Sequence, residues 1–422
     1  MKNVLYVAYY YPPMKSGGTL RTEKFVKYLR KAGYRVCVLT ASYGQNLFDE
    51  ANAIIRVKDI SHNKNRRGMR KFQWFALRIW TELQKKLGRH HSIYQWWREN
   101  AWRQRNKIID MARPDLIIAT YPPVETLEIA FRLREAFHVP MITDFRDGLL
   151  FEPIEQSLMQ KYRAVRNHYN RLEKQAVEKS ALITTVSKPI TDYFLKNYPS
   201  CHVQTIYTGF DPEDWPNPVS SSNSGHSDTF RIVYTGRVSL SDSSSSLKSF
   251  VFAMEPLLRK YPETANKIRF RIAGEMSRKE RRLMQPLMRI GVVTLCGLLE
   301  RKEALALQRE ADLLLLITST TRTSVVTTKI FEYLRSARPI LALTKENTAV
   351  GELILKSNSG WVVHPEDSVS IKNLLQKFSS DAAFRSSLKP DRKAICRLST
   401  KHQIEYLTQF INKILNDSNT LG

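Results

Sequence analysis

The chain has 422 residues, 42% of them hydrophobic, and carries 66 Lys and Arg against 40 Asp and Glu, a net charge of +26. That apolar content excludes a disordered chain, and the length suits two or three domains, each with its own core. The positive excess asks for an anionic partner: a phosphorylated substrate, a lipid surface or nucleic acid.

The apolar run at residues 4–8 reads as a first strand and is too short for a signal peptide. The loop Tyr10-Tyr11-Pro12-Pro13-Met14-Lys15-Ser16-Gly17-Gly18 follows, then a helix with Phe25, Val26 and Leu29 inward, closed by Gly33. A second strand at 36–39 completes one βαβ unit of a parallel sheet. Gly17 and Gly18 let a ligand approach the backbone closely, although the pair alone reads equally as a plain turn and lacks the third glycine of the dinucleotide fingerprint.

Residues 62–113 change character: 14 basic residues face only Glu82, Glu99 and Asp110, and five of the seven tryptophans sit here, at Trp74, Trp80, Trp96, Trp97 and Trp102. Such interleaving suits a helix lying on an anionic membrane, with Arg66, Arg67, Arg70, Lys71, Trp74 and Trp80 as contacts. It equally suits a helical excursion whose aromatics pack inward. No nucleic-acid-binding motif occurs, and no nucleic-acid partner is expected. Nowhere do eighteen apolar residues run without a charge, so no spanning helix is expected.

The sheet resumes at 116–119, passes Pro122-Pro123 into a helix with Leu127, Ala130 and Leu133, and returns at 139–143. Asp144-Phe145-Arg146-Asp147-Gly148 then places three charges where an open α/β sheet keeps its crevice; Asp144 and Asp147 are candidate acceptor-side residues, unless Arg146 only bridges them. Strands at 181–187 and 203–206 close the first domain. A serine-rich stretch, 216–228, reads as a linker.

Strands at 232–234, 270–273, 292–295, 313–317, 340–343 and 361–363 then alternate with helices, a second doubly wound sheet. Gly236 and Arg237 follow its first strand and Gly274 its second, with Gly297 as a further donor-side glycine. A guanidinium there holds a diphosphate bidentately, and Lys248 lies beyond a serine run, 243–246, with freedom to admit ligand. In the stretch from Thr327 to Leu334, Ile330, Phe331 and Leu334 share one helical face while Lys329 and Glu332 share another. The start of that helix, at Thr327 and Thr328, offers free backbone N–H groups to a phosphate, and the carboxylate one turn on suits a sugar diol. The last helix carries an apolar stripe, Ile404, Leu407, Phe410, Ile411, Ile414 and Leu415, that must dock on something.

Taken in order, the Tyr-Pro-Pro and Gly17-Gly18 loop, Asp144-Phe145-Arg146-Asp147, Thr184-Thr185-Val186-Ser187, Gly209-Phe210-Asp211, Thr235-Gly236-Arg237 and Lys329-Ile330-Phe331-Glu332-Tyr333 resemble the GT-B glycosyltransferases of the retaining, nucleotide-sugar-dependent family 4. The resemblance spans nearly the whole chain except the basic, tryptophan-rich segment. It implies two Rossmann-like domains facing a cleft: 1–213 on the acceptor side with the insertion 62–113, a linker 214–229, a nucleotide-sugar domain 230–398, and a last helix 399–422 packing back on the first. By the same resemblance Glu332 holds the donor ribose, Thr328 and Lys329 meet the phosphates, and Arg237 neutralises the leaving diphosphate.

The chain departs from the family pattern in three places. Ser324 stands where a second glutamate is common, Asp242 where a lysine is usual, and the first-domain loop histidine is absent, with Val124, Glu125 and Thr126 in its place. The four cysteines, Cys37, Cys201, Cys296 and Cys396, match neither a zinc spacing nor a disulfide framework, which fits a reducing cytoplasm. With no Asp-x-Asp clamp either, no metal and no resident cofactor are expected. The expected activity is sugar transfer from a nucleoside-diphosphate sugar to a lipid-linked glycan in bacterial surface polysaccharide assembly, on the inner face of the cytoplasmic membrane. The rival readings are a nucleotide-sugar 2-epimerase of the same architecture and a noncatalytic membrane- or nucleic-acid-binding scaffold.

Overall fold

A computed structural model describes residues 1–14, 17–59, 75–76, 79–84, 92–215, 229–237, 244–262 and 267–420. The chain divides into two units, Met1–Thr208 with Gln403–Gly422, and Gly209–His402. Asp214 and Trp215 belong to the second unit, and the linker stretch 216–228 lies outside the described residues.

The first unit is one eight-stranded sheet in the order β3-β4-β2-β1-β5-β6-β7-β8. Its strands are β1 (Asn3–Val7), β2 (Arg35–Ser42), β3 (Leu47–Asp49), β4 (Ile54–Lys58), β5 (Leu116–Tyr121), β6 (Met141–Phe145), β7 (Leu182–Thr185) and β8 (Val203–Thr205). Every neighbouring pair is parallel except the edge pair β3 and β4. That edge escapes a sequence reading because β3 is only three residues long and half exposed, with no alternation to mark it.

Alternation within β1 divides its side chains between two cores. Leu5 and Val7 join Trp97, Leu127 and Phe145 on one face, while Val4 and Tyr6 join Phe25, Leu29, Ile404, Leu407, Ile411 and Leu415 on the other. The apolar stripe of the terminal helix Thr400–Thr420 is therefore absorbed by the second face of this sheet. Tyr34 Oη donates to Asn412 Oδ1 at 2.5 Å and fixes the rotation of that helix.

Two tryptophans of the basic segment pack inward, as the alternative reading of a helical excursion expects. Trp97 is fully buried and packs edge-on to Tyr9 with centroids 5.3 Å apart. Trp102 packs against the guanidinium groups of Arg105 and Arg132, which lie 4.9 and 4.2 Å from its ring centroid. Trp80 behaves differently. Residues 75–76 and 79–84 are helical, and Phe75, Ile79, Trp80 and Leu83 are exposed while Thr81 and Gln84 are buried. Glu82 accepts a hydrogen bond from Tyr162 Oη at 2.9 Å. This short stretch is amphipathic the wrong way round for a water-facing helix. Arg66, Arg67, Arg70, Lys71 and Trp74 lie outside the described residues. No helix among the described residues is long and apolar enough to cross a membrane.

The second unit is a six-stranded, wholly parallel sheet in the order β11-β10-β9-β12-β13-β14. The strands are β9 (Phe230–Thr235), β10 (Ile268–Ala273), β11 (Val293–Gly297), β12 (Leu313–Ile317), β13 (Ile340–Leu343) and β14 (Gly360–Val363). β12, Leu-Leu-Leu-Leu-Ile, is buried along its whole length, as a central strand covered by helices on both faces must be. The strand order reverses between β1 and β5 in one sheet and between β9 and β12 in the other. In an open α/β sheet such a reversal places the ligand crevice outside the carboxyl ends of those strands.

Candidate active site

At the reversal in the second sheet, the strands end in glycines with left-handed backbones. Gly236 has φ 101° and Gly274 φ 141°. Gly236 N donates to Ala273 O and Gly274 N to Gly297 O, both at 2.7 Å, so the three expected glycines Gly236, Gly274 and Gly297 form one rim along the sheet edge. A Cβ on Gly236 would lie 2.9 Å from Lys329 Cε, and one on Gly274 2.4 Å from Gly236 O. Glycine is needed at both positions because another backbone segment or the lysine stem occupies the space.

The helix Thr328–Ser336 starts at that rim. Ile330, Phe331 and Leu334 are buried as expected, and Tyr333 is buried with them, its Oη accepting from Thr235 N at 2.9 Å. Thr327 caps the helix in extended conformation, but its side chain makes no capping bond and Oγ1 is buried without a partner. Ile330 N donates to Thr327 O at 3.3 Å, and the N–H groups of Thr328 and Lys329 keep the positive end of the helix available to an anion.

Lys329 and Glu332 share the short helix but have separate partners. Lys329 Nζ donates to Tyr234 Oη at 2.7 Å and lies 4.4 Å from that ring's centroid; Tyr234 Oη in turn donates to Arg237 O at 3.3 Å. Burial pushes the Lys329 ammonium down to about 8, against the pull of the Glu332 carboxylate. Glu332, its side chain only 12% exposed, accepts from Arg301 Nη1 at 2.9 Å and Gln308 Nε2 at 3.3 Å. Arg301 also grips Asp214 Oδ2, through Nη2 at 2.5 Å and Nε at 3.2 Å. Burial disfavours its charge, yet Asp214 and Glu332 more than offset this and hold the guanidinium above its usual range.

Two expected donor residues sit further out. Arg237 is exposed and ion-paired with Glu275. Lys248 is exposed on the helix Ser244–Lys260, with Nζ 5.1 Å from the Phe252 ring. The serine run expected to flex is in part the first turn of that helix, from Ser244. Ser324, in place of a common family glutamate, is buried, and Asp242 lies outside the described residues.

In the first unit, Gly17 and Gly18 open the helix Gly17–Lys31. A Cβ on Gly18 would fall 1.8 Å from Arg146 Nη1, so this glycine makes room for the guanidinium, whose Nη2 donates to Pro122 O. Asp144 is not in a loop at the strand's end but inside β6, fully buried. Its Oδ1 accepts from Arg21 Nη2 at 2.6 Å and Thr184 Oγ1 at 2.8 Å; Oδ2 accepts from Arg21 Nε at 3.1 Å and Thr120 Oγ1 at 2.8 Å. Burial alone would raise this carboxyl's pKa, but Arg21 and the two threonines hold it below the usual range. Asp144 therefore ties strand to helix, and its hydrogen-bonded partner is Arg21, 123 residues away, rather than Arg146. Asp147 is partly buried just beyond β6.

Sequence reasoning missed Arg301, Asp214, Gln308 and Tyr234. Seven residues separate Arg301 from Gln308, two turns of one helix, so they share a face. That spacing was readable, but nothing local says the face meets Glu332.

The family model Glycosyltransferase Family 4 matches residues 16–214, and Glycosyl transferases group 1 matches residues 229–381. The protein is a GT-B glycosyltransferase. No curated protein matches the sequence. Among solved structures, the fold of this glycosyltransferase is similar to sucrose-phosphate synthase from Thermosynechococcus elongatus, at 14% identity over 99% of this chain and 100% of that one, TM-score 0.66. It is also similar to Anabaena HepE in complex with UDP and glucose, at 14% identity over 98% and 100% of the two chains, TM-score 0.58. A trehalose-6-phosphate synthase studied for glycosyltransfer with retention matches at 15% identity over 97% and 99%, TM-score 0.60. The second unit of this glycosyltransferase brings together a glycine rim, a helix N-terminus, two cations and a carboxylate.

Proposed function

We propose that the enzyme moves a sugar from a nucleoside-diphosphate sugar to a lipid-linked glycan at an anionic membrane surface, with retention and without a metal, in surface polysaccharide assembly. The observation that carries the donor half is the convergence of Lys329, Tyr234 and Gly236 on the start of a helix whose cap side chain makes no bond to the first turn. The diphosphate sits over the rim of Gly236, Gly274 and Gly297. Thr327, Thr328 and Lys329 meet it from the helix start, and Arg237 exchanges Glu275 for the leaving phosphate. Negative charge grows on the departing diphosphate as the glycosidic bond breaks, so fixed cations and N–H dipoles stabilise the transition state more than the ground state. Glu332 takes the ribose diol, and Gly17, Gly18 and Asp147 belong to the acceptor side. Lys248 reaches the donor only from the exposed face of its helix and is the weakest member of the set.

Retention is the outcome named for the trehalose-6-phosphate synthase of similar fold, and UDP is the nucleotide bound by HepE. The membrane half is supported by the outward apolar face of Phe75, Ile79, Trp80 and Leu83, in a segment whose sequence neighbours include Arg66, Arg67, Arg70 and Lys71.

The test is donor turnover. The protein is incubated with UDP-, GDP-, ADP- and TDP-sugars, with and without a bacterial lipid extract in anionic vesicles, and free nucleoside diphosphate is assayed. The expected result is release from one donor class, stimulated by the extract and unchanged by EDTA. Release from no donor would overturn the donor reading; release indifferent to the extract would overturn the lipid-linked acceptor.

A further inference from the structure

Glu332 is not a free carboxylate waiting for a ligand. The helix Arg301–Glu310 supplies both of its partners, Arg301 on Oε1 and Gln308 on Oε2. The capping box of Glu300 and Glu303 fixes the start of that helix at Arg301. Gln308 is itself held, since its Nε2 also donates to Thr235 Oγ1 at 3.0 Å. Asp214, from the short helix Pro212–Asp214, takes the other side of the Arg301 guanidinium. A carboxylate oxygen has two lone-pair directions, so one donor on each leaves one acceptor direction on each oxygen. Two adjacent hydroxyls of a ribose fit that remainder. A guanidinium is suited to this task because its planar fork offers two carboxylates donors in fixed directions, whereas an ammonium on a flexible stem fixes no such direction.

We propose that Arg301, set by Asp214, is a positioning residue that holds the Glu332 carboxylate oriented so that the site reads the ribose hydroxyls of the donor. This rests on the reading that Glu332 holds the donor ribose. Arg301 touches no reacting atom and acts before the chemical step, so its loss changes donor binding rather than turnover at saturation.

The test compares, by calorimetry on the full chain, the ribonucleoside diphosphate that binds best among UDP, GDP and ADP with its 2′-deoxy analogue. Wild-type protein, Glu332→Gln, Arg301→Gln, Arg301→Lys and Asp214→Asn are measured. The wild type is expected to prefer the ribonucleotide, and Arg301→Gln to weaken ribonucleotide binding by about tenfold while leaving the deoxy analogue nearly unchanged. Arg301→Lys, which keeps the charge but not the fork, should recover part of the preference, and Asp214→Asn should lose a smaller part. If wild type binds both nucleotides equally, or none of the three ribonucleotides, the Glu332 reading fails and the proposal with it. If wild type and Glu332→Gln differ as expected but Arg301→Gln keeps the full ribose preference, or weakens both nucleotides alike, Arg301 is only a structural ion pair and the proposal alone is overturned.

Discussion

Replacing Asp144 by Asn tests whether this residue builds the fold or works on a substrate. The substitution keeps shape and removes charge in a site where neither Asp144 nor Arg21 is more than a few per cent exposed, at 1% and 2%. The Arg21 guanidinium would remain buried, still held by Ile206 O at 2.8 Å and Thr208 Oγ1 at 3.3 Å, but with no counter-charge. Breaking a buried pair from one side costs about 3–5 kcal/mol, a large share of the roughly 5–15 kcal/mol that holds a typical domain folded. The double variant Arg21→Met with Asp144→Asn removes both charges and should cost less than the sum of the single changes. Urea unfolding followed by tryptophan fluorescence reads this directly, because Trp97 is buried in the core of the same unit. The pH dependence has a definite sign. The folded pKa of Asp144 lies below the unfolded value of about 3.9, so the pair contributes fully above that pH and is lost as pH falls through the folded value. The Asn variant should lack that part of the acid sensitivity. A variant that unfolds like wild type yet loses acceptor-dependent turnover would refute the reasoning and return Asp144 to the substrate.

Other outcomes follow from the donor site and the outward apolar face. Arg237→Ala should lower turnover more than it weakens donor binding, because the leaving-group charge it meets grows toward the transition state; a changed KM with normal kcat would refute that. The free Lys329 amine titrates near 8, and a bound diphosphate favours its charged form, so nucleoside diphosphate binding near pH 8.5 should take up a fraction of a proton. Calorimetry in buffers of different ionisation enthalpy measures that uptake, and Lys329→Arg should abolish it. Ile79→Ser with Trp80→Ser should reduce sedimentation with anionic vesicles in a manner that salt does not mimic, since salt screens the charges and not the inserted side chains. Equal binding of the variant and wild type would remove the support that the outward apolar face lends to the membrane reading.

The alternation of apolar runs with helical stretches was enough to place two doubly wound sheets, because a parallel strand covered on both faces must be apolar along its length, as Leu313–Ile317 is. The glycines after the strands and the short helix from Thr328 were equally legible, since backbone conformation and helical spacing are local properties. The side-chain partners were not. Asp144 reads as one charge of a loop, but it is a buried half of a pair whose other member lies in the first helix. Lys329 and Glu332 read as neighbours on one face, yet one is held by Tyr234, 95 residues away, and the other by Arg301, 31 residues away. The tryptophans of the basic segment share one composition and spacing, and the tertiary packing alone sends Trp97 into the core and leaves Trp80 outside. Local sequence determines what a segment becomes because propensity and periodicity act over a few turns; which charge it meets is decided when the sheet brings distant strands within a few ångströms.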